Sequence, residues 1–471
     1  MSDTDIKQIE RLKSLLAKQK EAFSGDRHRP IAERKADIGK VADMVRDHAQ
    51  DFMDAVSADY GNRSCAETQI TEIGFTIAAA KHAQGNVAKW AKPKKASLPI
   101  TLAPGKAYVR REPLGVAGII SPWNYPIQLA LTPLIAALAA GCRAIIKPSE
   151  LTPKTAELMK RLLGERFDEN QVAVVTGGPA VGEAFSQQKF DHIFYTGSTH
   201  VGRLVAMAAA DNLVPVTLEL GGKSPAIITD DYNLEEAAKP LTWGKFLNSG
   251  QTCIAPDYVL APKDKVGAIG EAVLEEVTSF FDDPATDKDY TAIISDRHHQ
   301  RLSEMIEEAR AGGADILQPD MGDSGNIRKI PPTIVLNPPL DSRMMNEEIF
   351  GPIMPVVGYD TLNDAIGFVT ERDHPLALYV YAKDKTIAHR VLDATLSGGA
   401  SVNASMLHMS VEGMPFGGVG KSGQGAYHGE HGFLTFTHER AVFEAPVWHP
   451  SRWVAPPYGK MFNFIAKMQM K

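Results

Sequence analysis

Cys253 closes the stretch Asn248-Ser249-Gly250-Gln251-Thr252-Cys253, a turn of small residues that follows a helical pattern. It is one of three cysteines, with Cys65 and Cys142, too few for a disulfide framework and one short of a four-cysteine zinc site. Upstream, Glu219 stands in Leu218-Glu219-Leu220-Gly221-Gly222-Lys223-Ser224-Pro225. A carboxylate at a strand end, followed by two glycines, can face a cavity with little backbone shielding it. A loop cysteine alone reads as an ordinary thiol. Paired with a carboxylate able to activate water, it forms the minimal set for making and hydrolysing an acyl-enzyme.

The elements that must position these groups follow from periodicity. Apolar residues recur at helical spacing at Ile6, Ile9, Leu12 and Leu16, then at Ile38, Val41, Val45, Phe52 and Val56, which predicts surface helices. Another helix is expected over Glu67–Trp90, closed by a solvated Lys92-Pro93-Lys94-Lys95. Ala107–Pro113 reads as an exposed strand and Leu114–Ile120 as a buried one. Tyr125-Pro126 opens a helix that stops at Gly141. Strands at Arg143–Lys147, Val172–Val175, His192–Tyr195 and Val214–Leu218 then alternate with helices at Thr152–Leu163, Pro179–Gln187 and Thr199–Ala210. Five strands with helical crossovers imply a doubly wound parallel sheet, and ligands sit beyond the carboxyl ends of such strands. Asn124, Lys147, Glu150, Gly197 and Glu219 all fall there. The alternation resumes at Ala226–Ile228 and runs to about Val402, which predicts a second α/β domain.

Gly197-Ser198-Thr199-His200-Val201-Gly202 follows a strand and opens a helix, so its amides and positive helix end can approach a phosphate. It lacks the GxGxxG spacing of a dinucleotide fingerprint, and tight-turn packing explains it as well. Lys147 with Glu150 reads as a surface ion pair, Glu348 as a helix-end carboxylate, and Asn124 as a turn asparagine.

Six elements in order change these readings: Pro122-Trp123-Asn124-Tyr125-Pro126, Lys147-Pro148-Ser149-Glu150, Phe194-Tyr195-Thr196-Gly197-Ser198, Leu218-Glu219-Leu220-Gly221-Gly222-Lys223, Gly250-Gln251-Thr252-Cys253 and Glu347-Glu348-Ile349-Phe350-Gly351-Pro352. The chain resembles the aldehyde dehydrogenase superfamily over nearly its whole length. The resemblance implies an α/β protein with a Rossmann-like NAD-binding domain (1–97 and 114–222) and a second α/β catalytic domain (223–410). A small β bridging element for oligomerisation would take 98–113 and 411–471. It implies Cys253 as nucleophile, Asn124 with the Cys253 backbone N–H as oxyanion donors, and Glu219 as the base that hydrolyses the thioester. The presence of Glu219 favours hydrolysis over acyl transfer to a thiol such as coenzyme A. Trp123, Lys147, Glu150, Gly197, Ser198, Gly202, Leu220, Glu348 and Phe350 are implied as cofactor contacts. Lys147 and Glu150 would hold the adenosine ribose, Ser198 would lie near the pyrophosphate, and Glu348 with Phe350 would hold the nicotinamide ribose and ring. Glu150 would bond a 2′-hydroxyl and repel a 2′-phosphate, so NAD is expected to be preferred, with NADP as the other possible cofactor.

The Gly-rich run Pro415–Gly423, continuing to Gly429, and Tyr125 in place of the usual phenylalanine resemble the class 3 branch. That implies a homodimer, with Leu434-Thr435-Phe436-Thr437 as an exposed strand for pairing across a two-fold axis. Within that branch the likeness is to bacterial coniferyl aldehyde dehydrogenases, which implies an aromatic propenal as substrate. Tyr125, Trp243, Phe246, Met406 and Leu407 could line its pocket. A medium- or long-chain aliphatic aldehyde fits the same pattern. A nucleotide-independent thiol esterase could use Cys253 and Glu219, but it would leave Lys147, Glu150 and Glu348 without a role. A non-catalytic scaffold protein of this family should have lost Cys253 or Glu219, and both remain.

Composition limits the partners. With 44% hydrophobic and 23% charged residues and a net charge of -7, the 471 residues form an ordinary globular balance with no concentrated basic face for nucleic acid. The acidic start lacks signal-peptide regions, and the run Ile127–Cys142 is broken by Gln128, Thr132 and Pro133. A cytoplasmic protein without a membrane anchor is expected, and the tail after Val447 is expected to pack on a partner subunit. Tyr427-His428-Gly429-Glu430-His431 shows no helical pattern and is read as structural, so no metal site is assigned. His200 reads as a helix-surface residue, and Cys65 and Cys142 as packed thiols.

Overall fold

A computed structural model describes residues 2–447 and 450–470. Strands Val116–Ile120, Arg143–Lys147, Val172–Val174, His192–Thr196 and Val216–Glu219 form one parallel sheet. In space they run Val216–Glu219, His192–Thr196, Val116–Ile120, Arg143–Lys147, Val172–Val174, with the short strand Gly423–Gln424 antiparallel beside Glu219. Chain order reverses between Val116–Ile120 and His192–Thr196, which opens a crevice at their carboxyl ends. Every residue of Val116–Ile120 and Arg143–Lys147 is buried, as parallel strands covered on both faces must be. The helix Gln128–Ala140 is apolar on nearly all sides and almost wholly buried, and it ends at Gly141 in the left-handed region (φ 93°).

A second sheet has seven strands in the order Asp315–Leu317, Thr333–Leu336, Ile353–Tyr359, Tyr258–Pro262, Pro225–Ile228, Ala377–Tyr381, Gly399–Val402, all parallel except the first. A third, antiparallel sheet joins Lys94–Lys95, Lys106–Pro113 and Thr437–Glu444. Among the described residues no helix is long and apolar enough to cross a membrane.

The structure corrects four local readings. Residues 434–435 belong to a helix, Gly429–Thr435, and the strand begins at Thr437. Phe433 and Phe436 are fully buried three residues apart, so this segment follows a helical face rather than strand alternation. The same helix takes in Gly429–His431, where no helical pattern was expected. Cys65 is exposed rather than packed, whereas Cys142 is buried with its thiol on the Phe436 carbonyl. Phe246 is turned into the core, 2% exposed, rather than into a substrate pocket beside Trp243. The tail forms an exposed helix, Lys460–Gln469, that buries no residue within the chain.

Candidate active site

The helix Leu234–Phe246 delivers the chain to a turn in which Asn248, Ser249 and Gly250 are all left-handed, with φ of 51°, 49° and 72°. A Cβ on Gly250 would lie 2.2 Å from the Gly351 carbonyl oxygen, so no side chain fits there. Hydrogen bonds hold this strained turn. The Asn248 N–H donates to Glu67 (3.0 Å), and its amide donates to the carbonyls of Asn124 (3.2 Å) and Gln251 (3.1 Å). The Gln251 amide donates to Asn248 and Ala292, and its oxygen accepts from the Ile294 N–H. Thr252 shares a 2.6 Å hydrogen bond with the Tyr125 hydroxyl. The next residue, Cys253, is half-buried on a rigid loop.

Cys253 lies where two chambers meet, together with Glu219, Thr196, Leu129 and Leu220. One chamber, about 210 Å³, is walled by apolar and aromatic side chains including Phe75, Tyr125, Trp243, Met406, Leu407 and Phe416. The other, about 570 Å³, occupies the crevice of the first sheet and is lined by Trp123, Asn124, Gly197, Ser198, Glu348 and Phe350.

Glu219 ends its strand 2% exposed, and neither carboxylate oxygen has a hydrogen-bond partner. Burial pushes its pKa well above the usual carboxylate value. Burial, followed by the charges of Glu348 and Glu219, pushes the Cys253 thiol up to about 12. The resting sulfur is therefore a neutral thiol that must lose its proton to react. Asn124 is 3% exposed, and its side-chain amide donates to the Gln251 carbonyl (3.2 Å).

In the larger chamber Ser198 caps the helix Thr199–Ala210, and a Cβ on Gly197 would collide with the Tyr195 hydroxyl at 2.4 Å. A Cβ on Gly202 would lie 2.6 Å from Leu220, so that glycine serves helix–strand packing. Trp123 meets Phe350 edge-on at 5.3 Å and His298 at 5.2 Å. Phe350 itself sits at φ 49°. Glu348 is pushed up to about 7 by burial and by Asp257, opposed by the Gly222 amide, Lys223 and Arg301. Lys147 and Glu150 pair at 3.0 Å at the end of the neighbouring strand, outside both chambers. His200 is exposed on the rim.

The sequence did not mark Gln128, His298 or Arg301 as site residues, and it read His428 as structural; all four line the chambers. Gln128 and His428 are each 2% exposed, with the Gln128 amide nitrogen and both His428 ring nitrogens unpartnered. Their signal, polar residues at fully buried positions, exists only once the fold is known.

An α/β architecture with a crevice at the switch point, joined at one thiol to an apolar chamber, defines the class of protein. The aldehyde dehydrogenase family model matches residues 4–442, and the chain belongs to that family of oxidoreductases. It is 44% identical to a probable coniferyl aldehyde dehydrogenase of Pseudomonas aeruginosa, covering 96% of this chain and 95% of the relative. Its fold is similar to the substrate-bound state of Staphylococcus aureus AldH, with a TM-score of 0.93 and 37% identity over 97% and 99% of the two chains. It is also similar to a Mycobacterium tuberculosis aldehyde dehydrogenase complexed with NAD+, with a TM-score of 0.84 and 29% identity over 94% and 91%.

Proposed function

We propose that this protein oxidises an aromatic aldehyde of the coniferyl aldehyde kind to its carboxylic acid, with Cys253 as nucleophile and NAD as cofactor. The observation that carries it is the thiol shared by an apolar chamber and a nucleotide-sized crevice, beside an unpartnered buried carboxylate. The donor set suits a dinucleotide. A glycine-serine turn at a helix start offers amides to a pyrophosphate, and Glu348 and Phe350 line the same crevice. Lys147 and Glu150 would hold the adenosine ribose, where the Glu150 carboxylate favours NAD over NADP. When bound, the nicotinamide supplies the hydride acceptor.

Cys253 gives up its proton to water, and its sulfur bonds to the aldehyde carbon. The oxygen of that carbon becomes an oxyanion, held by the Asn124 amide and the Cys253 backbone N–H. Departure of the hydride leaves an acyl thioester on Cys253. Glu219, in its ionised form, removes a proton from water, the hydroxide adds to the thioester carbon, and the C–S bond breaks. The acid departs and the sulfur regains a proton.

The aromatic walls of the smaller chamber and the unpartnered Gln128 and His428 nitrogens suit a ring that bears oxygen substituents. The name of the Pseudomonas aeruginosa relative points the same way. The otherwise apolar wall supports a medium- or long-chain aliphatic aldehyde as the second reading. A panel of aromatic and aliphatic aldehydes, scored by NADH absorbance with NAD or NADP, tests all of this. The highest kcat/KM should fall on coniferaldehyde with NAD. Ester hydrolysis without nucleotide, and no aldehyde oxidation, would refute it.

The protein is further proposed to act in the cytoplasm as a homodimer. The exposed strand Thr437–Glu444 is one edge of its sheet, and a partner copy would cover it. A monomer mass by light scattering at micromolar concentration would overturn that assembly.

A further inference from the structure

We infer that the buried pair Arg63–Glu72 is the positioning element for Asn124, an inference that rests on the oxyanion role proposed above. Arg63 follows the helix Ala49–Tyr60 and is 1% exposed. Its guanidinium lies between the rings of Tyr60 and Tyr125, at 5.1 and 5.0 Å from their centroids. Nη1 donates to the Asn124 carbonyl oxygen at 2.7 Å and lies 3.3 Å from Glu72 Oε1. The other Glu72 oxygen accepts from the backbone N–H groups of Ile127 (2.7 Å) and Gln128 (3.2 Å).

The pair thus grips the turn that carries Asn124 from both sides, its carbonyl from one and the amides of the following helix start from the other. The Asn124 carbonyl also accepts from the Asn248 amide and, at 3.3 Å, from the Tyr60 hydroxyl, which ties it to the nucleophile's loop. Glu72 points inward from a π-helical turn, Gln69–Gly74, inserted in an otherwise α-helical stretch. Such turns concentrate at functional sites.

Stability does not explain this arrangement. Desolvating two charges largely cancels their attraction, so an apolar pair of the same shape would fold about as well. Nε and Nη2 of Arg63 have no hydrogen-bond partner, so its polar contacts are directed at the Asn124 carbonyl and Glu72. The gain is geometric. The main chain of Asn124 is fixed against the loop of Cys253, so its amide is preorganised for an oxygen bound to the attacked carbon.

The test compares pre-steady-state NADH bursts of the full-length protein. Arg63→Met/Glu72→Gln removes both charges together, so no lone charge is left buried. Its burst rate constant should fall roughly 10- to 100-fold, while NAD affinity and iodoacetamide alkylation of Cys253 stay within about twofold. Arg63→Lys should recover part of the loss. In an Asn124→Ala background the same double change should cost no more than about threefold, because the pair acts through Asn124. A burst rate within about threefold of wild type, or an undiminished loss in the Asn124→Ala background, would overturn the inference. If the double variant does not fold, Arg63→Lys alone decides: a fall of roughly tenfold that vanishes without Asn124 supports it, and no fall overturns it. A wild-type protein that gives no burst with any aldehyde would instead sink the catalytic reading itself.

Discussion

Gly221 and Glu348 approach so closely that a Cβ on the glycine would lie 2.3 Å from both carboxylate oxygens. Glycine here is a requirement of the acid opposite, not of its own backbone. Gly221→Ala should displace Glu348 from the crevice and slow the NADH burst roughly tenfold, or about 1.4 kcal/mol in barrier. The melting temperature should barely move. A burst like that of wild type would show that the position of Glu348 does not matter.

Replacing Glu219 by Gln removes the carboxylate proposed to activate water while keeping the shape of the site. The first turnover should still release NADH, whereas steady-state kcat should fall roughly 10²- to 10³-fold. Normal turnover of the variant would mean that another group activates water.

The Cys253 thiol, pushed up to about 12 mainly by burial, should be alkylated by iodoacetamide at a rate still climbing at pH 9. Negative neighbours also raise it, so Glu348→Gln should lower the thiol pKa and speed alkylation at neutral pH. A rate plateau below pH 8 in the free protein would contradict this environment.

His428 and Gln128 carry the unpartnered polar nitrogens of the apolar chamber. His428→Phe or Gln128→Leu should lower kcat/KM for coniferaldehyde by roughly tenfold, the worth of about one hydrogen bond, and leave cinnamaldehyde nearly unaffected. Equal losses on both substrates would remove the polar-recognition role.

Burial lowers His192 to about 4, and its Nε2 lies 2.9 Å from the Thr217 hydroxyl. The unfolded chain takes up this proton near pH 6.5 and the folded chain only near 4, so the stability it contributes is complete above 6.5 and drains away as pH falls between them. The full loss is on the order of 3 kcal/mol. His298 and His408 are lowered by burial in the same direction. His192→Asn should melt with a shallower dependence on pH across that window. An unchanged slope would show that His192 titrates alike in both states.

Local pattern determined much of this protein. Helices and strands up to Glu219 declare themselves by apolar spacing and by Gly141, Pro153 and Ser198 at element ends, because those signals act over a few residues. The order of motifs marked Cys253, Glu219 and Asn124 as a set. Tertiary structure alone decided the rest. Burial and distance depend on residues far apart in the chain, as where Arg63 meets Asn124 and Glu72 meets Ile127. Trp243 reaches the apolar chamber while Phe246, three residues on, faces the core. The helix at Gly429–Thr435 followed from a core that accepts Phe433 and Phe436 on one face, which no local alternation could foretell. The proton on Cys253 was likewise hidden, since a thiol's acidity is set by the water and charges around it rather than by its neighbours in sequence.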